Sequence, residues 1–184
     1  MNQVGYILTK IKITLAKRIL PRSKSKEIEK QLMTNFLRKN GITIGENCAI
    51  FSNICSPESF LISIGNNVSI SNDVQLITHD NCIDRMCDDV SDIFGRISIG
   101  DNCVIGAKSI IMGGVTIGNN IVVGAGSVVT KSFTEERIII AGNPARKVST
   151  WDTYIAKNKA IAFHIQGNKK KCILENESKI VKNR

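Results

Sequence analysis

A beat of six runs through the middle of the chain. Counted from Ile99, every sixth residue is aliphatic: Ile99, Ile105, Ile111, Ile117, Val123 and Val129. Isoleucine, leucine and valine make up 50 of the 184 residues, so six consecutive hits in one register would arise by chance roughly 4 times in 10,000. The same beat is present earlier, at Ile44–Ile50 and Ile64–Ile70–Leu76, and a marker recurs beside it: "ITIGEN" at 42, "ISIGNN" at 62, "ISIGDN" at 97 and "VTIGNN" at 115. Six matches neither the 3.6-residue helix nor a hairpin meander. It matches a parallel β-helix in which three short strands and three turns complete a coil of about 18 residues. Each repeat-start aliphatic then points inward over its equivalent one coil away, ~4.8 Å along the axis. The small residue after it, Gly100, Gly106 or Gly118, is expected at the corner, where a positive φ is tolerated. Aromatics at 5% and abundant isoleucine suit such a lattice better than a bulky core.

The beat stops once. "LITHDNCIDRMCDDVSDIFGRISIG", residues 76–100, separates two "ISIG" markers by 35 residues, and its middle has no repeat character. Residues 80–96 are therefore expected to leave the prism as a loop, the usual carrier of function on a rigid scaffold. His79, one of two histidines, stands where wall becomes loop. An imidazole there suits a general base, since histidine titrates near neutral pH. Asp80 is a candidate contact for the acceptor molecule. As a partner for the ring it is poorly placed, because neighbouring side chains on an extended segment point apart; a backbone carbonyl is expected to orient the imidazole. Cys82 or Cys87 as an acyl-carrying nucleophile is the competing mechanism, and it would need a neighbouring base. The loop carboxylates Asp84, Asp88, Asp89 and Asp92 are expected mainly to keep the segment solvated.

The ends differ from this body. Residues 1–41 hold 10 basic and 2 acidic side chains, residues 42–147 hold 7 and 11, and residues 148–184 hold 8 and 3, for a net charge of +9. The folded body is thus acidic, against a nucleic-acid reading surface. Residues 1–41 read as an amphipathic helical segment. Val4, Ile7, Leu8, Ile11, Leu15 and Ile19 share one helical face, either lying on an anionic membrane or capping the open prism; capping is the expectation, since a repeat stack needs covered ends. A second helix carries Ile28, Leu32, Phe36 and Leu37 and stops at Gly41. Residues 148–184 read as a helix around Trp151, Tyr154 and Ile155 that covers the other end, then a solvated basic tail over 168–184. Lys10 and Lys12 interrupt the apolar N-terminal stretch, unlike a secretory signal, and no run reaches ~20 apolar residues. A cytoplasmic location follows as an expectation, with contact at the inner face of the membrane through the basic ends as its extension. The six cysteines form no CxxC pair and are expected reduced, with no metal bound.

"IGDNCVIGAKSIIMGGVTIGNNIVVGAGSVVTKS" followed by "AGNPARKV" resembles the sugar O-acetyltransferases of the hexapeptide-repeat superfamily. "THDN" at 78 is similar to their surface-polysaccharide (capsule and lipopolysaccharide) branch; in the galactoside and maltose enzymes proline usually follows the histidine. The resemblance covers about residues 42–147. It implies an all-β core of left-handed coils with N-terminal helices and a short C-terminal helix, against the common right-handed crossover. It also implies acetyl-coenzyme A as co-substrate and a homotrimer whose clefts pair His79 of one prism with the Ala107–Ala125 face of the next, closed by cyclic symmetry. Ala107 and Ala125 would line the pantetheine arm, and Thr130, Lys131 and Arg146 the nucleotide end, where cations suit phosphates. Gly106–Ala107 would supply an N–H to the oxyanion. Asn53 aligns with an acceptor-contacting asparagine of the galactoside-type Asn-Phe-Asn segment, whose first asparagine is Phe51 here. The expected activity is O-acetylation of a sugar hydroxyl by direct transfer. N-acetylation of a nucleotide-linked amino sugar and a non-catalytic trimeric scaffold are the alternatives. Zinc carbonic anhydrases share the fold but use three histidine ligands, which this chain lacks.

Overall fold

The computed structural model describes residues 3–181, in two compact units that divide after Val148. The first begins with helices α1 (Gln3–Ile19) and α2 (Arg22–Lys39). Short strands follow: β1 (Thr43–Ile44), β2 (Ala49–Ile50), β3 (Ile62–Ile64), β4 (Ser69–Ile70) and β5 (Gln75–Ile77). A hairpin of β6 (His79–Asp80) and β7 (Ile93–Phe94) intervenes. The strands resume as β8 (Ile97–Ile99), β9 (Val104–Ile105), β10 (Ile110–Met112), β11 (Thr116–Ile117), β12 (Ile121–Val123), β13 (Val128–Val129), β14 (Ile138–Gly142) and β15 (Ala145–Thr150).

Successive strands deal themselves in turn onto three sheets, ordered β1-β3-β8-β11, β2-β4-β9-β12-β14-β15 and β5-β10-β13. This is a three-sided parallel β-helix. Its registers explain the beat of six. Ile50, Ile70, Ile105, Val123 and Ile140 are successive Cα partners through five coils, and all five are buried. Ile44–Ile64–Ile99–Ile117 and Leu76–Ile111–Val129 form the matching stacks on the other two walls. Aliphatic side chains thus sit one above another at strand spacing, and three such columns converge on the axis. The small buried residues between them close the corners: the Cys103 thiol donates to the Gly118 carbonyl at 3.0 Å, and Ser109 does the same to Gly124 at 3.0 Å.

The glycine of the "IG" marker differs from the expectation. Positive φ falls two residues later, on Asn47, Asn67, Asn102 and Asn120, at 57–58°. Asparagine tolerates that conformation better than other residues with a Cβ. Glycine is required for space instead: a Cβ on Gly65 would lie 2.9 Å from the Gly100 carbonyl carbon, and one on Gly100 would lie 2.8 Å from that of Gly118. The residue between, Asn66, Asp101 or Asn119, offers its side-chain oxygen to the next ladder rung. Asn66 N–H donates to Asp101 at 2.7 Å, and Asp101 N–H donates to Asn119 at 2.9 Å. "IGNN" therefore encodes a close approach, an external hydrogen-bond ladder and a left-handed residue in consecutive positions.

Helix α2, not α1, closes the first coil. Met33, Phe36 and Leu37 join Ile42, Ile44 and Ile50 in one buried cluster, while the Arg38 guanidinium donates to the carbonyls of Ile44 and Gly45, both at 2.8 Å. Gly41, at φ +97°, turns the chain from helix into coil. The expected α1 capping face is instead turned outward: Val4, Ile7, Leu8, Ile11, Leu15 and Ile19 are 52–68% exposed, and Ile13, from the other side of the helix, is the buried one at 3%. The helix adjoining the prism in sequence takes the open coil, which leaves α1 to pack on α2.

In the second unit, α3 (Trp151–Asn158) is capped by the Thr150 hydroxyl, which accepts from Thr153 N–H at 3.2 Å. The solvated tail expected over 168–184 contains a helix, α4 (Lys169–Glu175). Asn168 caps it by accepting from Lys171 N–H, and Cys172 is buried and donates to the His164 carbonyl at 3.3 Å. A local cap and one buried side chain organise a segment whose composition reads as solvated. Residues 182–184 lie outside the described residues.

The columns make the period testable by substitution. Ile105→Ala, inside a stack, is expected to cost about 2–5 kcal/mol in denaturant unfolding. Its exposed neighbour Val104→Ala is expected to cost less than about 1 kcal/mol. Equal costs would contradict the inward register.

Candidate active site

The hairpin is an insertion into one coil. Strand β3 pairs directly with β8, Ser63 opposite Ser98, as β8 pairs with β11, Ser98 opposite Thr116. The lattice therefore closes underneath the excursion. Its base is tied down tightly. His79 pairs with Phe94 and Asp80 with Ile93, Gly95 N–H donates to the Thr78 carbonyl at 2.8 Å, and Gly114 N–H donates to that of Arg96 at 2.9 Å. A Cβ on Gly95 would lie 2.3 Å from the Gly114 nitrogen, so only glycine lets the loop rejoin the wall flush.

The imidazole of His79 is half-exposed at this base. Its Nδ1 lies 3.0 Å from Oε2 of Glu58, which the preceding coil presents. The buried Thr78 hydroxyl donates to the same carboxylate at 2.9 Å and lies 3.0 Å from the Ser56 hydroxyl. Partial burial pushes the Glu58 carboxyl up, but the hydrogen bonds from Thr78 and His79, with the nearby imidazole charge, outweigh it and hold Glu58 below the usual carboxylate range. An ionised carboxylate at Nδ1 selects the tautomer with its proton there and leaves the Nε2 lone pair free to act as a base. The ring partner is thus a carboxylate from another coil, not the expected backbone carbonyl.

A cavity of about 360 Å³ opens beside the ring, lined by Thr78, His79, Asp80, Phe94, Met112 and the Gly113–Gly114 backbone among others. Phe94 stacks obliquely on His79, ring centroids 5.8 Å apart. Glu58 and Phe94 are the residues the sequence reading missed. A signal for Glu58 existed: Thr43 pairs with Ser63, two residues beyond the 18-residue interval of later coils, so "SPESF" bulges from its coil.

Asp80 lines the cavity but uses Oδ1 to accept from Cys82 N–H at 2.8 Å, and that bond, followed by one from the Cys82 thiol, lowers its pKa. The same contact raises the Cys82 pKa and keeps it a thiol, which removes support from a Cys82 nucleophile. Asn53 closes a local turn, accepting from Cys55 N–H at 3.3 Å, and is not among the residues lining the cavity.

The small-residue column is present: a Cβ on Gly106 would lie 2.5 Å from Ala125 N, and Gly126 N–H donates to the Ala107 carbonyl at 2.8 Å. Gly106 N–H is committed to the Val123 carbonyl, which removes it as an oxyanion donor and leaves Ala107. Thr130, Lys131 and Arg146 are exposed on the same unit. Within one chain, however, the column and His79 are on different edges. Ala107 and Ala125 precede β10 and β13, whereas His79 follows β5 on that wall. The strands between them span up to three residues, ~10 Å at ~3.3 Å per residue, so the column and the ring lie at opposite ends of that wall.

Residues 96–131 match the family model described as hexapeptide repeat of succinyl-transferase. Protein CapG of Staphylococcus aureus is 41% identical over 162 residues, covering 84% of this chain and 94% of that protein. A maltose O-acetyltransferase from Clostridium difficile 630 superposes with a TM-score of 0.55 at 26% identity, over 81% of this chain and 89% of that one. The hexapeptide-repeat acetyltransferase VCA0836 from Vibrio cholerae shares the fold at a TM-score of 0.54 and 19% identity, over 80% and 91% of the two chains.

The Glu58–His79 pair has a measurable sign. Because the Glu58 pKa is lowered on folding, the stabilisation it provides is complete above the ordinary carboxylate pKa, about 4.3. It is lost progressively as pH falls below that value and through the lower folded one. Nitrogen-15 spectra of the imidazole should show the proton on Nδ1 in neutral wild type and a mixture of tautomers in Glu58→Gln. An unchanged spectrum would remove Glu58 as the positioning group.

Proposed function

The chain belongs to the hexapeptide-repeat acetyltransferases and is an acyltransferase, and from that premise we propose that it transfers the acetyl group of acetyl-coenzyme A to a sugar hydroxyl, with His79 as general base. The observation that carries this reading is the His79 ring, held at Nδ1 by an ionised carboxylate at the mouth of a cavity. Nε2 takes the proton of the acceptor hydroxyl as its oxygen attacks the thioester carbonyl carbon. The tetrahedral intermediate collapses by breaking the C–S bond, and the imidazolium returns its proton to the departing thiolate. Glu58 stays ionised throughout and stabilises the imidazolium, as the carboxylate does in a catalytic triad.

The separation of His79 from the Ala107–Ala125 column favours a cleft shared between subunits of a cyclic homotrimer with left-handed coils. Pantetheine would run along Ala107 and Ala125 of one subunit toward His79 of the next, with the Ala107 N–H facing the oxyanion. Lys131 and Arg146, exposed and beyond the column in sequence, suit the coenzyme phosphates, with Thr130 next to Lys131 in the chain. The acceptor side is the cavity with Phe94, whose ring offers a stacking face to a sugar, with Asp80 at its rim; Asn53 is a more distant acceptor contact. A surface polysaccharide or its precursor is the acceptor class that the "THDN" sequence favours.

Release of free thiol from acetyl-coenzyme A, measured against a panel of sugars, nucleotide-sugars and polysaccharides, tests the reading. Acceptor-dependent release should fall by about 100-fold or more in His79→Ala and by roughly 10–100-fold in Glu58→Gln, chiefly in kcat. Lys131→Ala and Arg146→Ala should act mainly on KM for the coenzyme. High residual activity in His79→Ala would point to an amine acceptor, which needs less help from a base. A wild-type protein that neither binds coenzyme A nor releases thiol with any acceptor would overturn the proposal.

A further inference from the structure

We infer that the outer face of α1 docks on the surface of an anionic lipid bilayer. At ~100° per residue, Val4, Ile7, Leu8, Ile11, Leu15 and Ile19 fall within an arc of about 120°, with Ile13 on the opposite side. The structure uses the Ile13 side for packing: Ile13 is buried, Tyr6 meets Phe36 with ring centroids 5.8 Å apart, and Lys17 pairs with Glu29 at 2.8 Å. These contacts pin the helix while turning its wider apolar stripe to solvent. Six exposed aliphatic side chains in one line differ from the scattered apolar residues of an ordinary surface and mark an interaction site.

Charge selects the occupant. No acidic side chain occurs in α1, while Lys10, Lys12, Lys17 and Arg18 do, within a segment carrying 10 basic and 2 acidic residues over positions 1–41. Lys12 lies at one edge of the stripe and Arg18 near the other, both exposed. A second copy of the same helix facing this one would bring like charges together. Anionic headgroups complement the cations, while the aliphatic side chains enter the acyl boundary. No helix among the described residues is long and apolar enough to cross a membrane, so α1 lies on the surface. This inference stands on α1 alone and is independent of the reaction proposed for His79.

The full-length protein is sedimented with vesicles of mixed phosphatidylcholine and phosphatidylglycerol, and with vesicles of phosphatidylcholine alone. Binding to the mixed vesicles is expected, weakening with salt. Lys12→Gln or Arg18→Gln should each reduce partitioning by roughly fivefold, and Ile11→Asn combined with Leu15→Asn by at least about tenfold. All four positions are exposed, so the fold should be retained, and circular dichroism with thiol-release activity in solution checks that. Equal binding to the two vesicle types would overturn the proposal. So would binding that survives the α1 changes but disappears when Lys169, Lys170 and Lys171 are replaced by Gln. A wild-type assembly that Ile11→Asn with Leu15→Asn dissociates in sedimentation, with no vesicle binding, would assign the stripe to a second copy and also overturn it.

Discussion

Parallel backbone pairing from one coil to the next is the constraint on which everything else depends. Each coil satisfies its N–H and C=O groups on the coils above and below, so it has no independent stability, and every side chain inherits a fixed neighbour at strand spacing. That inheritance turns isoleucines into columns and asparagines into an external ladder. It also creates two raw ends. Arg38 answers one of them by donating to two main-chain carbonyls of the first coil while Met33, Phe36 and Leu37 cover its core.

A lattice this regular offers no concave site of its own, and the candidate site is assembled from two departures. One coil bulges by two residues and presents Glu58; the following one extrudes the hairpin that begins with His79. The departures lie in adjacent coils, so the carboxylate of one reaches the imidazole of the next at 3.0 Å. Both are anchored to uninterrupted strands, which gives the pair the fixed geometry that acid–base chemistry needs. The glycine contact between Gly95 and Gly114 does comparable work, since the loop re-enters the wall with no room for a side chain. Packing, the Glu58–His79 contact and loop placement thus all follow from the spacing between coils.

How legible each part was follows from the range of the interaction responsible. The inward register of Ile99 through Val129 was readable because a column repeats its own signal every six residues. His79 was readable because it interrupts that signal. Glu58 was not singled out, since its role depends on a residue 21 positions away and its own coil departs from the period only slightly. Asp80 adjoins His79 in sequence, yet its carboxylate serves the turn to Cys82. The positive φ expected of the marker glycines belongs to the asparagines two places later, and the crowding that requires glycine comes from Gly100 and Gly118 of other coils.

The N-terminal helices show the same division. Amphipathicity is local, and the stripe of Val4, Ile7, Leu8, Ile11, Leu15 and Ile19 is evident in the chain alone; which helix meets the prism is decided by connection and shape, and α2 took that place. By itself the sequence determined the coil period, the inward face and the position of the histidine, all consequences of short-range pattern repeated until it was unambiguous. Only the tertiary structure decided which carboxylate holds that histidine, which thiol is silenced, which corner atoms touch, and which apolar face is left in solvent. Those outcomes depend on distances between coils, and no local pattern encodes them.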